Sequence, residues 1–113
     1  GDEKKYGKEI GGDIIEGKRP VPLGHLYNNC SGSHRAYLDN FFAKPRKDRS
    51  FEKAHQIIAL MQKYGSIDYS QKLAEENAAT SISIFNNKFA DVPETKAKSE
   101  LRDLITFMAY RDQ

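Results

Sequence analysis

Apolar residues recur along most of the chain at helical spacing, and nowhere in the sustained alternation of a strand. The clearest stripe is Phe51, Ala54, Ile57, Ile58, Met61 and Tyr64. Residues three and four positions apart share one helix face, so this stripe predicts an amphipathic helix from Phe51 to Tyr64. Ser50 can accept a hydrogen bond from a free N–H of the first turn, and Gly65 suits a left-handed stop. A longer helix is expected from Ser66 or Asp68 to about Lys88. Its inward line reads as Leu73, Asn77, Ser81 and Ile84, with Ala74, Ala78 and Phe85 beside it. The small residues suit close approach to a neighbouring helix. Asp91-Val92-Pro93 reads as a connector. A last helix is predicted from about Glu94 to Arg111, where Leu101, Leu104, Ile105, Met108 and Ala109 fall at i, i+3, i+4, i+7 and i+8.

Nearer the start, Arg19 to about Cys30 is mainly apolar, with Val21, Leu23, Leu26 and Tyr27 expected inward. Pro20 and Pro22 suit a first helical turn, where a missing N–H costs little. Ser31-Gly32-Ser33 breaks that run, Ser33 is expected to cap a helix through Phe42, and Pro45 ends it. Residues 1–18 differ in kind, holding five of the eight glycines. Glycine is costly in a helix and tolerant of sharp turns, so this segment predicts a loop with at most a turn or two of helix. The fold class expected is all-α: four to five antiparallel helices joined by short loops. Residues 1–18 would form a glycine-rich loop and residues 19–113 the helical portion of a single domain.

Composition narrows the partners. Lys and Arg number 18 against 16 Asp and Glu, a net charge of +2. That balance lacks the basic excess of a nucleic-acid surface. The densest basic run, Lys44 to Arg49, is broken by Pro45 and Asp48 and reads as a solvated loop. No apolar run reaches the ~20 residues a membrane span needs. Cys30 is the single cysteine, which excludes an internal disulfide and fits a reducing cytoplasm.

Candidate chemistry concentrates in Gly7-Lys8-Glu9-Ile10-Gly11-Gly12-Asp13-Ile14-Ile15-Glu16-Gly17-Lys18-Arg19. Lys8 and Lys18 bracket a glycine-rich turn that carries Asp13. A lysine ammonium is a compact charge with three donors, suited to phosphate oxygens. Glycines at 7 and 12 would let backbone N–H groups approach the same anion. Arg19 is expected to open a helix at the positive end of its dipole, where anions are also favoured. From the residues alone two readings stand: a phosphate cradle, or a solvated loop with surface lysines.

Other motifs fail. Gly12 to Lys18 fits the opening of a P-loop, but Arg19 stands where the magnesium-binding Ser or Thr belongs, and no strand precedes it. Cys30 and His34 have ligand spacing without a second pair to complete a zinc site. His25 and His55 read as packing or surface histidines. No catalytic or metal-ligating residue is assigned.

The glycine-rich segment is similar to that of the trans-isoprenyl diphosphate synthases, or polyprenyl synthetases. These enzymes carry an aspartate-rich DDxxD motif, then a Gly-Asp, then G-K-x-x-G-x-D-I and a further lysine. The chain reads Gly1-Asp2, Gly7-Lys8-Glu9-Ile10-Gly11-Gly12-Asp13-Ile14, then Gly17-Lys18-Arg19. Met61-Gln62-Lys63-Tyr64-Gly65-Ser66-Ile67-Asp68-Tyr69 and Val92-Pro93-Glu94 with Leu101, Leu104, Phe107 and Arg111 resemble later parts of the same family. The resemblance covers essentially the whole chain but only the last third of a family enzyme.

That resemblance implies an isoprenoid-synthase-type helical bundle, of which this is the C-terminal part. It implies prenyl transfer, in which an allylic diphosphate ionises and alkylates isopentenyl diphosphate. Magnesium held by two aspartate-rich motifs would neutralise the leaving diphosphate, with Lys8 and Lys18 adding positive charge and Gly7, Gly12 and Asp13 supporting the loop. No two aspartates are adjacent here, so both DDxxD motifs are absent from the chain. The isolated chain is therefore expected to be inactive, to bind magnesium weakly or not at all, and to belong to an enzyme that is a homodimer when intact. The rival reading is a small helical interaction module without chemistry.

Overall fold

A computed structural model describes residues 2–110, all of whose regular structure is helical. Among them six α-helices form: α1 (Asp2–Glu16), α2 (Val21–Asn29), α3 (Gly32–Ala43), α4 (Phe51–Lys63), α5 (Ser66–Lys88) and α6 (Lys96–Tyr110). A single 3₁₀ turn, Arg46–Asp48, precedes α4. The all-α class is as expected. Arg111, which closes the predicted last helix, lies outside the described residues.

The first departure is α1. Residues predicted as a loop form fifteen residues of helix. Ile10 and Ile14 stand one turn apart and are buried, with Tyr6 packed beside them. Burying two isoleucines yields roughly 3–6 kcal/mol. The helical glycines at 7, 11 and 12 cost roughly 1 kcal/mol each against alanine, so burial outweighs propensity. Gly11 is itself buried against α4, where an added Cβ would meet the Phe51 ring at 3.5 Å and Ile58 at 3.7 Å.

The chain divides into two compact units, residues 1–69 and 70–113. In the first, α4 is the central helix, with α1, α2 and α3 each packed on it. Ile57 and Met61 from α4 meet Ile14, Leu23, Leu26, Leu38 and Phe41 in one core. Phe51, placed on the inward stripe from its spacing, is 52% exposed because it opens α4 at the rim. The Ser50 hydroxyl caps α4 by accepting from the Lys53 N–H at 3.2 Å. Gly65 ends the turn after it with φ +71°. Ser31, not Ser33, holds the N-cap position of α3, and its side chain makes no capping bond.

In the second unit, the buried line along α5 runs through Ala74, Ala78 and Phe85. Asn77 and Ile84, expected inward, are exposed. The two candidate lines lie side by side on the helix, and the pattern does not choose between them. Arg102 of α6 lies over the Phe85 ring at 5.4 Å and forms a two-pronged pair with Glu94 at 2.8 and 3.1 Å. That guanidinium holds the Glu94 carboxyl below its ordinary value. Lys98 donates to the carbonyls of Phe89 and Val92 and closes the connector between α5 and α6. Leu101, Leu104, Phe107 and Met108 on α6 remain exposed. No helix among the described residues is long and apolar enough to cross a membrane.

Candidate diphosphate site at the end of helix α1

The end of α1 is built by an accounting of free carbonyls. A helix leaves its last carbonyl groups without intrahelical partners. Here the Gly17 N–H donates to the Ile14 carbonyl at 3.1 Å, and the Lys18 N–H to the Asp13 carbonyl at 2.9 Å. This is a Schellman turn, in which one residue must be left-handed. Gly17 supplies that conformation with φ +85°. Of the two carbonyls this turn leaves, that of Ile15 accepts from Arg49 Nη1 at 2.9 Å.

Lys18 therefore sits on the turn that caps α1. Its ammonium lies 3.6 Å from Asp13 and 3.6 Å from Glu16, and 65% of its side chain is exposed. The negative end of the helix dipole favours the ammonium there and disfavours the two carboxylates. Glu16 also holds Arg46 at 3.3 Å, so its carboxylate bridges two cations.

Lys8 lies elsewhere on the helix. It is exposed, and the ion pairs among the described residues include none to it. Helical spacing separates it from Glu16 by roughly 12 Å along the axis, and from Asp13 by roughly 140° around it. The expected turn bracketed by two lysines is thus replaced by a helix with one lysine on its flank and one at its end. A single anion would meet both only with the side chains extended toward each other. Gly7 and Gly12 face open space, and their helical backbone offers no cradle of free N–H groups. Of the candidate support residues, Asp13 is the one in contact with a predicted lysine.

Arg46 and Arg49 are what sequence reasoning missed. Both fall in the run read as a solvated loop, yet each reaches the end of α1 across about thirty positions of chain. No local pattern signals this, because the contact depends on where α3 ends. Two open cavities, of about 550 and about 310 Å³, are lined by other residues and include none of the predicted site.

The donor set does not fit a resident metal. Asp13 and Glu16 are turned on the Lys18 ammonium, and no group of three His, Cys, Asp or Glu side chains among the described residues could hold an ion. The histidines are engaged otherwise. His25 Nδ1 pairs with the buried Ser66 hydroxyl at 2.8 Å and its ring stacks on Tyr69, while His34 Nδ1 pairs with the Tyr64 hydroxyl at 2.7 Å.

No protein-family model matches the chain, and no solved structure matches it significantly. Curated proteins do. An octaprenyl diphosphate synthase from Haemophilus influenzae is 26% identical over 104 residues, which is 92% of this chain and 28% of that protein. An all-trans-nonaprenyl-diphosphate synthase (geranyl-diphosphate specific) from Rhodobacter capsulatus is 31% identical over 81 residues, 72% of this chain and 24% of that protein. The chain spans about a quarter of the length of the curated relatives it matches. Over most of its own length, the chain is related to the trans-isoprenyl diphosphate synthases, the polyprenyl synthetase family.

Proposed function

We propose that this chain is the C-terminal part of a prenyltransferase, and that Lys18, with Lys8, receives the allylic diphosphate in the intact enzyme. The observation that carries the reading is the similarity to an octaprenyl diphosphate synthase across 92% of the chain. An exposed ammonium on a glycine-capped helix end is chemically suited to the role. Charge builds on the diphosphate as its bond to the allylic carbon breaks, and a fixed cation stabilises that charge more than it stabilises the intact ester. Asp13 holds the ammonium in place until a stronger anion competes for it. Isopentenyl diphosphate is the expected second substrate, with its site mostly outside this chain. Any magnesium would be held by carboxylates outside this chain. We further propose a cytoplasmic homodimer for the intact enzyme.

The test is Lys8→Ala and Lys18→Ala in the intact protein. Prenyl transfer should fall, with kcat/KM down by about a hundredfold for Lys18→Ala. Stability should change by less than about 0.5 kcal/mol, because both side chains are exposed. Unchanged transfer in both variants would sink the reading. The 113-residue chain alone should show no transfer, and turnover by it would equally contradict the proposal.

The rival, a helical interaction module, is favoured by one observation: Leu104, Phe107 and Met108 of α6 are each more than half exposed. It does not account for the lysine turn at the end of α1.

A further inference from the structure

We propose that Arg49 is the positioning residue of the Lys18 turn, a role that rests on the diphosphate reading above and deepens it. Arg49 touches neither lysine of the candidate site. Its guanidinium instead serves three carbonyls from two helix ends. Nη1 donates to Ile15 at 2.9 Å, Nη2 to Phe42 at 3.3 Å and Nε to Lys44 at 3.0 Å. A guanidinium is a rigid planar fork with five donors and no acceptor, so one side chain can satisfy carbonyls that converge from different segments. The Phe42 ring lies 5.6 Å from its carbon centre and supports the group from one side. The result is a strap that ties the end of α1 to the end of α3.

Gly17 confirms how closely the two parts fit. A Cβ added there would stand 3.2 Å from Arg49 Nη1, and the backbone is already left-handed at φ +85°. The turn requires Gly17 for its φ, and a side chain there would also press the guanidinium aside by a few tenths of an ångström. The side-chain pairs of Lys18 do not hold the turn by themselves. They are solvent-exposed contacts at 3.6 Å, of the kind that contribute little. What places the Lys18 backbone is the capped end of α1, and Arg49 takes the Ile15 carbonyl, which receives no donor from the turn itself. Without the strap, the last turn of α1 has lost a partner and can fray, carrying the ammonium with it.

The experiment uses the full chain with two readouts, amide hydrogen exchange by NMR and titration with inorganic pyrophosphate. Arg49→Ala should lower protection of the Gly17 and Lys18 amides by about tenfold. Arg49→Lys keeps the charge and the stem but lacks the fork, and should fall between; it also serves should the alanine variant fail to fold. Arg46→Ala removes only an exposed pair to Glu16 and should leave both amides as they are. In the titration, Lys18→Ala and Arg49→Ala should weaken pyrophosphate binding to a similar degree, about fivefold. The double variant should be no weaker than Lys18→Ala alone, because a positioning residue acts through the group it positions. Unchanged amide protection in both Arg49 variants would overturn the inference. So would additive losses, which would mean that Arg49 meets the anion itself. If wild-type chain ignores pyrophosphate while Arg49→Ala still frees the two amides, the strap stands and the diphosphate reading of Lys18 falls.

Discussion

The Lys18 ammonium lies 3.6 Å from the Asp13 carboxylate, five residues back along the chain and on the same side of the closing turn. The pair forms because the Schellman turn folds the chain back on itself after Gly17. It leaves the lysine oriented, with its charge partly matched and still open to solvent. An incoming anion must compete with Asp13 and Glu16 for the same ammonium.

Asp13→Asn should therefore raise pyrophosphate affinity in metal-free buffer. The expected gain is up to about fivefold, the worth of one charge contact in water. Isothermal titration calorimetry decides it, and a loss of affinity would show that Asp13 orients more than it competes. Stability should change by less than about 1 kcal/mol, because the pair is exposed.

Tyr6→Phe should stabilise the protein. The Tyr6 hydroxyl oxygen is buried with no hydrogen-bond partner among the described residues. Removing it relieves a desolvation penalty of up to about 1 kcal/mol. Burial also raises the phenol above its ordinary value of 10.0. The folded state therefore keeps this proton when the unfolded state has lost it. The stability from that difference is complete below pH 10 and declines as pH climbs through the raised folded value. Urea unfolding at neutral and alkaline pH checks both points: the Phe variant should be more stable at pH 7 and lose less above pH 10.

Two serines that look alike should behave differently. Ser50 accepts from the Lys53 N–H, so Ser50→Ala should cost about 1 kcal/mol. Ser31 makes no side-chain cap, so Ser31→Ala should stay within about 0.5 kcal/mol. Thermal melts of the pair would expose equal losses, which would contradict the capping geometry.

Two phenylalanines of the second unit make the same contrast by burial. Phe85 is 3% exposed beneath Arg102, and Phe85→Ala should cost about 3–5 kcal/mol. Phe107 is 64% exposed, and Phe107→Ser should cost less than about 0.5 kcal/mol. Hydrogen exchange over α5 and α6 reports on this unit directly. Equal loss of protection in both variants would mean that α6 buries its apolar face.

Much of this molecule was legible in the order of its residues. The stripe from Phe51 to Tyr64, with Ser50 before it and Gly65 after it, determined α4 and both its ends. The absence of alternation determined the all-α class. The spacing of Lys8, Asp13 and Lys18 left two readings open, a phosphate cradle or a solvated loop, and the diphosphate reading came from the resemblance of the segment to polyprenyl synthetases. These features are local: a helix stripe, a cap and a motif each need only neighbours within a few positions.

Tertiary structure decided the rest. Residues 2–16 are helical because α4, some forty positions away, offers a surface on which Ile10 and Ile14 are buried. Local glycine content argues the other way and loses. Along α5, the choice of Ala74, Ala78 and Phe85 over the adjacent line depends on what the helix packs against. Arg49 lies in a stretch whose composition says only that it is charged and solvated. Its role exists because two helix ends bring their unpaired carbonyls within reach of one guanidinium, a convergence in space that no one-dimensional pattern encodes.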